Sequence, residues 1–239
     1  MKQEVTPASS APLAGRPDGL DDEQRLSAVA CLNDPVRQQL FELLRSSETD
    51  RGLSRDDCAD ALRLPRSTVR AQLDRLVQER LVHVEFHKLG ERTGPGSGRP
   101  TKLYSVAQQE VTASFPPRHY DLAARLLAAA VQRSIDGAEN IETALSQVAH
   151  AEGRRMGAQA GAIHDVLASA GYDPQDDGQG GTIMANCPFH RLSAEHAGVV
   201  CALNGALLGG ALEGCGDAEH ELAADHEISH CCARLVPRI

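Results

Sequence analysis

The order of apolar repeats between residues 54 and 106 is the feature that most constrains the fold of this chain. Apolar residues recur at helical spacing up to Leu81 and then alternate with polar residues at Val82, Val84 and Phe86. This order predicts short helices packed against a small sheet. The 239 residues are enough for two domains, and 41% hydrophobic residues are enough for packed cores, which excludes a wholly disordered chain.

Two short helices are predicted before the strand. Ser54 begins the first, with Asp57 three residues later in a capping-box arrangement, and Cys58, Ala61 and Leu62 supply its apolar side. The segment 63–65 ends in a proline and breaks this helix, and the second helix begins at about Arg66. Two short helices joined by so short a turn predict a helix-turn-helix.

A two-stranded hairpin is predicted to follow. Residues 82–87 form a half-buried strand, 88–100 are rich in Gly, Pro and basic residues, and 101–106 form the returning strand. With the helix that begins at Asp34 and Pro35, an N-cap followed by a proline, these elements predict a winged helix-turn-helix domain over 21–106.

The second helix and the hairpin have the composition of a DNA-binding surface. Residues 61–105 carry nine Lys or Arg against four Asp or Glu, although the whole chain has a net charge of −9. A helix that buries Val69, Leu73 and Leu76 turns its hydroxyl, amide and guanidinium groups outward, where base edges and phosphates accept them. The alternative is a merely solvated charged face. The predicted DNA-binding residues are Arg66, Ser67, Thr68, Arg70, Ala71, Gln72, Arg75, Lys88, Arg92, Arg99 and Lys102.

This part of the chain resembles a known class of regulators. Three segments are similar to motifs of bacterial winged helix-turn-helix repressors of the ArsR/DeoR-like superfamily. They are Asp34-Pro35-Val36-Arg37, Arg66-Ser67-Thr68-Val69-Arg70 and Gly98-Arg99-Pro100, the last of which leads to Tyr104. The resemblance implies double-stranded DNA as the partner and transcriptional regulation as the function.

The remaining sequence predicts a chain that is mostly α with α+β elements. Residues 1–20 are expected to be a disordered tail, 107–180 a helical linker and dimerisation region, and 181–239 an α+β Cys-rich sensor domain. The predicted elements after the prolines at 116 and 117 are helices over 119–133 and 139–156, a polar loop over 171–181, a strand over 182–185, a helix over 193–212 and a strand over 227–235.

Seven cysteines require an explanation in a chain with no apolar stretch typical of a membrane span or a secretion signal. We expect a cytoplasmic protein, where disulfides are disfavoured and clustered cysteines indicate metal binding or thiol chemistry. Cys31 and Cys58 stand alone in helical patterns and are expected to be buried. The other five lie within the last 53 residues and are the predicted metal ligands: Cys187, Cys201, Cys215, Cys231 and Cys232.

The spacing of these five cysteines carries a second resemblance. Gaps of 13, 13 and 15 residues separate Cys187, Cys201, Cys215 and Cys231, and the first station reads Asn186-Cys187-Pro188-Phe189. This pattern resembles the C-terminal signature of the Suf-operon iron–sulfur repressor (SufR-like) family. The resemblance implies a homodimer that reads an inverted-repeat operator as a repressor, and an iron–sulfur cluster, 4Fe–4S in preference to 2Fe–2S, as the cofactor.

A cluster normally takes four protein ligands, so one cysteine is in excess. Cys231 and Cys232, if on a strand, point to opposite faces. An unbroken helix places Cys201 and Cys215 ~21 Å apart, so either Gly209 and Gly210 break the helix or the fourth ligand is another residue. The fourth ligand therefore stays open among Cys215, His190 and His230.

Two other functions fit the same residues. Zinc or a small-molecule effector could occupy the C-terminal domain of a winged-helix regulator, because thiolates also bind zinc. A thiol enzyme would need a nucleophile beside a base, and the adjacent pair that qualifies is Cys187 with His190. No orienting third group accompanies that pair, so we expect no enzyme activity and no catalytic residues.

Overall fold

A computed structural model describes residues 19–47, 49, 51–87, 100–225 and 231–238 of the chain. The chain divides into two compact units, whose described parts span 19–114 and 115–238. Most described residues are helical, and each unit contains one small antiparallel sheet. The predicted class, mostly α with α+β elements, is confirmed at this level.

The first unit places four helices around a three-stranded sheet of order β1-β3-β2. Asp21, Asp34 and Ser54 cap the helices that follow them, the last in the predicted capping box with Asp57. The elements are α1 Asp22–Cys31, α2 Pro35–Arg45, β1 Leu53–Ser54, α3 Arg55–Leu62, α4 Arg66–Gln78, β2 Val82–His87 and β3 Thr101–Val106.

The core of this unit is built from the stripes that the sequence predicts, with two corrections. Leu40, Val69, Leu73, Leu76 and Cys58 are fully buried, and Cys31 is buried at the end of α1. On α3 the second buried residue is Ala59, because its position next to Cys58 faces the core while Ala61 faces solvent. On β2 the predicted inward Phe86 is 65% exposed.

The second unit places four helices beside a four-stranded sheet of order β4-β5-β7-β6. All neighbouring strands in it are antiparallel. The elements are α5 Tyr120–Gly137, α6 Ile141–Ala160, α7 Ile163–Ser169, β4 Pro174–Asp176, β5 Thr182–Met184, α8 His190–Cys215, β6 His220–Ala224 and β7 Ala233–Pro237.

Residues 115–180 and 181–238, which the sequence assigns to separate domains, belong to one unit, whereas residues 107–114 belong to the first unit. α6 packs along α8, and β4 in the first region pairs with β5 in the second. The segment 171–181, expected to be a polar loop, contains β4, and α7 and β6 were not foreseen. The final strand begins at Ala233, whereas the prediction began at 227; residues 226–230 lie outside the described part of the chain.

The contact between α6 and α8 brings two helix backbones together. Gly153 and Gly157 on α6 face the backbone of α8, and Gly210 and Gly214 on α8 face the backbone of α6 at His150 and Arg154. A Cβ atom added at Gly157 would lie 2.7 Å from the backbone nitrogen of Cys215. A chain with 3% aromatic residues thus packs its second unit by close backbone approach.

Among the described residues, α8 is the one helix that is long and apolar enough, by length and composition, to cross a bilayer. Leu203, Leu207 and Leu208 on this helix are buried against the other elements of the unit. Burial of this kind is what the core helix of a compact unit shows.

Candidate functional site

Four of the five C-terminal cysteines meet in one place in the second unit. The thiol of Cys231 lies close enough to those of Cys187 and Cys232 to shift their pKa values, and the thiol of Cys201 is close enough to shift the pKa of Cys232. The four sulfurs form a chain of neighbours in the order 187, 231, 232, 201. We call these four residues the cysteine site.

The loop before α8 positions Cys187. Its carbonyl accepts hydrogen bonds from the backbone N–H of His190 at 3.2 Å and from Nη1 of Arg118 at 3.0 Å. The side chain of Asn186 donates to the carbonyls of Pro117 at 3.1 Å and Gly171 at 2.6 Å. These bonds attach the loop to two distant segments, so Cys187 is held by tertiary contacts.

Cys231 and Cys232 both reach the site, which corrects the prediction that a strand would point them to opposite faces. They precede β7, so strand alternation does not apply to them. The N–H of Cys231 donates to the carbonyl of Met184 at 2.9 Å, and the carbonyl of Cys232 accepts from the N–H of Asp225 at 3.0 Å. These backbone bonds leave both sulfurs on the side that faces α8.

Asn204 and Tyr172 belong to the site, and sequence reasoning missed both. Nδ2 of Asn204 donates to Sγ of Cys231 at 3.2 Å and to Sγ of Cys232 at 3.6 Å. Oδ1 of Asn204 accepts from the hydroxyl of Tyr172. The signal that could have found Asn204 is an amide three residues after Cys201, on the same face of an apolar helix.

The hydrogen bonds between sulfurs divide the four thiols into two kinds. Hydrogen bonding from Cys231 lowers the pKa of Cys187 to about 7 and that of Cys232 to about 6. Burial raises the pKa of Cys201 to about 12, and hydrogen bonding to its two neighbours raises the pKa of Cys231. Since Cys231 has a single S–H proton, it serves one neighbour at a time. The site thus favours thiolate, the form that binds metals, at Cys187 and Cys232.

Cys215 lies outside the cysteine site. α8 continues through Gly209 and Gly210 without a break, so the expected separation of Cys201 and Cys215 stands. The sulfur of Cys215 donates to the carbonyl of Gly157 at 3.6 Å, and burial raises its pKa. The alternative in which the two glycines return Cys215 to the site is therefore wrong.

The structure describes one of the two histidines proposed as substitute ligands. His190 is exposed at the start of α8. The sulfur of Cys187 has hydrogen bonds with Cys231 and Ser193, whereas His190 meets Cys187 through its backbone. His230 lies outside the described residues.

Cysteine thiolates are ligands both for zinc and for iron–sulfur clusters. In the described part of the chain, no group of three or more His, Cys, Asp or Glu side chains is arranged to hold a metal ion. Four cysteine sulfurs are, however, the number and the ligand type that iron–sulfur clusters take, with the sulfurs distributed over several irons.

The outward face of α4 is close to the prediction. Ser67, Arg70, Ala71 and Arg75 are exposed, while Thr68 is half-buried. The half-buried Gln72 accepts a hydrogen bond from Nη1 of Arg37 at 2.8 Å, so its amide already has a partner within the protein.

The arginines of α4 form ion pairs, which the sequence did not predict. Arg66 pairs with Asp56 at 3.3 Å, Arg70 with Asp74 at 3.8 Å, and Arg75 with Glu79 at 3.0 Å. Of the predicted hairpin residues, Lys102 is exposed, with Nζ 5.8 Å from the centre of the Phe86 ring, and Lys88, Arg92 and Arg99 lie outside the described residues.

No protein-family model and no curated protein matches this chain. The two features of the chain that bear on its function are the cysteine site and the outward face of α4.

Proposed function

We propose that this protein is a DNA-binding transcriptional regulator, acting as a repressor, whose operator affinity is controlled by an iron–sulfur cluster bound at the cysteine site. The observation that carries the proposal is the meeting of Cys187, Cys201, Cys231 and Cys232, which come from three separate segments of the chain. A site that uses the thiols together accounts for the meeting of four cysteines from separate segments more directly than packing does.

The first unit supports the DNA-binding half of the proposal. α3 and α4 are joined by a turn in which Arg63 has φ 53°, and α4 turns its hydroxyl and guanidinium groups away from the core. β2 and β3 follow as an antiparallel pair, and β1 adds a third strand. This order of elements is that of a winged helix-turn-helix, in which α4 enters the major groove.

The ion pairs on α4 fit this role. In each pair the arginine side chain is at least half exposed, and exposed pairs such as those of Arg66 and Arg70 contribute only about 0–1 kcal/mol, whereas the partner of Arg75, Glu79, is only 12% exposed. A phosphate or a guanine edge can therefore take over the guanidinium groups of Arg66 and Arg70 at small cost. The carboxylates also reduce non-specific attraction to DNA in an acidic protein.

The cysteine site supports the second half of the proposal, which is the control of DNA affinity by a cluster. When bound, an iron–sulfur cluster supplies a one-electron redox centre that responds to oxidants and to iron supply. The four cysteines join the loop before α8, α8 itself and the segment before β7, so occupancy of the site ties these segments together. A difference of ~1–3 kcal/mol between the tied and untied forms is enough to change DNA affinity about 5- to 150-fold.

We further infer a cytoplasmic homodimer that reads an inverted repeat, since a single α4 offers few base contacts. α5 is the proposed partner surface, because Val131 and Ile135 on it are 48% and 71% exposed. Static light scattering should return a mass near twice that of the 25.5 kDa chain, and a mass of one chain at micromolar concentration would refute the dimer.

Anaerobic purification with iron, sulfide and zinc analysis tests the function directly. We expect brown protein that contains iron and sulfide and binds selected duplex DNA with an affinity that changes when the cluster is removed. Colourless protein with one tightly bound zinc favours the zinc-regulator alternative. Protein without metal and without DNA binding contradicts both halves.

The outward face of α4 is tested by Arg75→Ala. We expect this variant to bind its preferred duplex, selected from a random pool, ~1–3 kcal/mol more weakly and to discriminate less against random duplexes. Arg45→Ala is the matched control, because Arg45 forms a similar exposed ion pair with Glu42 on α2, outside the proposed face. Equal effects of the two substitutions in binding isotherms would contradict the assignment of this face.

A further inference from the structure

A buried amide on α8 contacts two of the sulfurs at once. Asn204 is 1% exposed, and its side chain lies one helical turn from Cys201. A primary amide has two N–H protons, and here the nitrogen lies 3.2 Å from Sγ of Cys231 and 3.6 Å from Sγ of Cys232. Each proton can therefore serve one sulfur of this vicinal pair.

Tyr172 fixes which end of the amide faces the sulfurs. Its hydroxyl donates to Oδ1 of Asn204, and its ring is 4% exposed in the loop between α7 and β4. Its own backbone N–H donates to the carbonyl of Leu167 at 3.0 Å, which attaches the loop to α7. With Oδ1 engaged by the hydroxyl, Nδ2 must point at the sulfurs.

We propose that Asn204 is a positioning residue of the cysteine site, which holds Cys231 and Cys232 side by side as ligands, and that Asn204 and Tyr172 together set how readily the site accepts an electron. N–H groups that donate to ligand sulfurs stabilise the negative charge that a one-electron reductant adds, so they raise the reduction potential. The electron-accepting role rests on the proposed function, whereas the positioning role does not.

The two hydrogen bonds from Asn204 also explain how the adjacent Cys231 and Cys232 can both serve as ligands. Neighbouring residues generally direct their side chains apart, and here the segment before β7 directs both sulfurs to one amide. The amide gives both sulfurs a donor in addition to the thiol protons of the site. Asn204 is thus the residue that makes the vicinal pair usable.

Redox titration of the anaerobically purified protein with dithionite tests the electronic role. We expect Asn204→Leu, which keeps the branched shape of the side chain and removes both donors, to disfavour reduction about tenfold, a shift of 59 mV to lower potential for a one-electron couple. Tyr172→Phe keeps the ring and removes only the hydroxyl, so it should retain its iron and shift the potential in the same direction by less. Leu126→Ala is the structural control, since Leu126 is fully buried in the same unit and forms none of these hydrogen bonds.

Unchanged potential in both Asn204→Leu and Tyr172→Phe, with iron retained, would overturn the electronic role. A shift of the same size in Leu126→Ala would also overturn it, because general loosening would then explain the effect. The potential thus separates hydrogen bonding from packing.

The metal-free protein provides a second measurement that does not depend on the cluster. The pair of side-chain amide signals that Asn204→Leu removes from a ¹H–¹⁵N spectrum should move in Tyr172→Phe and in Cys231→Ala. Signals that stay in place in both variants would overturn the positioning role. If the wild-type protein contains no iron but the amide signals move in the two variants, the proposed function and the electronic role are overturned while the positioning role is supported. The two failures are therefore distinguishable.

Discussion

Replacing Cys187 or Cys201 with serine is expected to remove the brown colour, most of the bound iron and the dependence of DNA binding on cluster loading. A hydroxyl is a much poorer ligand for iron than a thiolate, and each of these residues comes from a different segment of the second unit. The roughly 5- to 150-fold difference in DNA affinity between loaded and cluster-free protein should collapse to none in both variants. Anaerobic iron content is measured beside operator affinity for each variant.

Cys215→Ser is the matched control for these substitutions. Cys215 is also half-buried on α8, but its sulfur bonds to the carbonyl of Gly157 and lies outside the cysteine site. We expect this variant to keep its iron and its response, as should Cys31→Ser and Cys58→Ser in the first unit. The mechanism is contradicted if Cys187→Ser protein stays brown and its DNA binding still depends on cluster loading. Loss of iron in Cys215→Ser would contradict the proposed ligand set.

Gly153→Ala is expected to destabilise the second unit by about 3 kcal/mol or more, at the upper end of overpacking effects. A Cβ atom at this position runs into the backbone carbonyl of Leu207 on α8, which cannot turn aside as a flexible side chain can. The whole α6–α8 contact must open to accept one methyl group. Urea denaturation followed by circular dichroism measures the change in the free energy of unfolding.

Gly205→Ala and Gly209→Ala serve as controls on α8 itself. A Cβ atom at either position meets no atom within 4 Å, so the substitution should stabilise the helix by about 0.5–1 kcal/mol. If Gly153→Ala proved as harmless as these two, the close backbone contact between α6 and α8 would be incorrect.

Local signals in the sequence predicted the first unit well. Asp34 followed by a proline, the capping box at Ser54 and the change of period at Leu81 all act within a few residues, so each could be recognised without tertiary information. β1 was missed because two residues carry no periodicity, and it exists through pairing with β3. Phe86 was misplaced because alternation says which residues share a face, and not how much of that face is covered.

The sequence allowed us to predict that the site contains cysteines, but not which cysteines and which other residues form it. Composition indicated a thiol site, and helix rise alone separated Cys215 from Cys201. Cys231 and Cys232 were misjudged because the strand was expected to include them, and alternation of side chains applies only to residues within a strand. The hydrogen bond that joins Asn204 to Tyr172 spans 32 residues, and no local pattern announces a partner at that distance.

The glycine contact between α6 and α8 also limits how the second unit can move. Two glycines on each helix lie against backbone carbonyl groups of the other helix, which makes four close contacts in all. The two helix surfaces therefore interlock. Sliding α8 by one turn, about 5.4 Å, would bring larger side chains such as Leu207 onto the positions of glycines. Sliding of α8 along α6 by one turn is therefore disfavoured, so a displacement of this part of α8 is expected to carry the paired part of α6 with it.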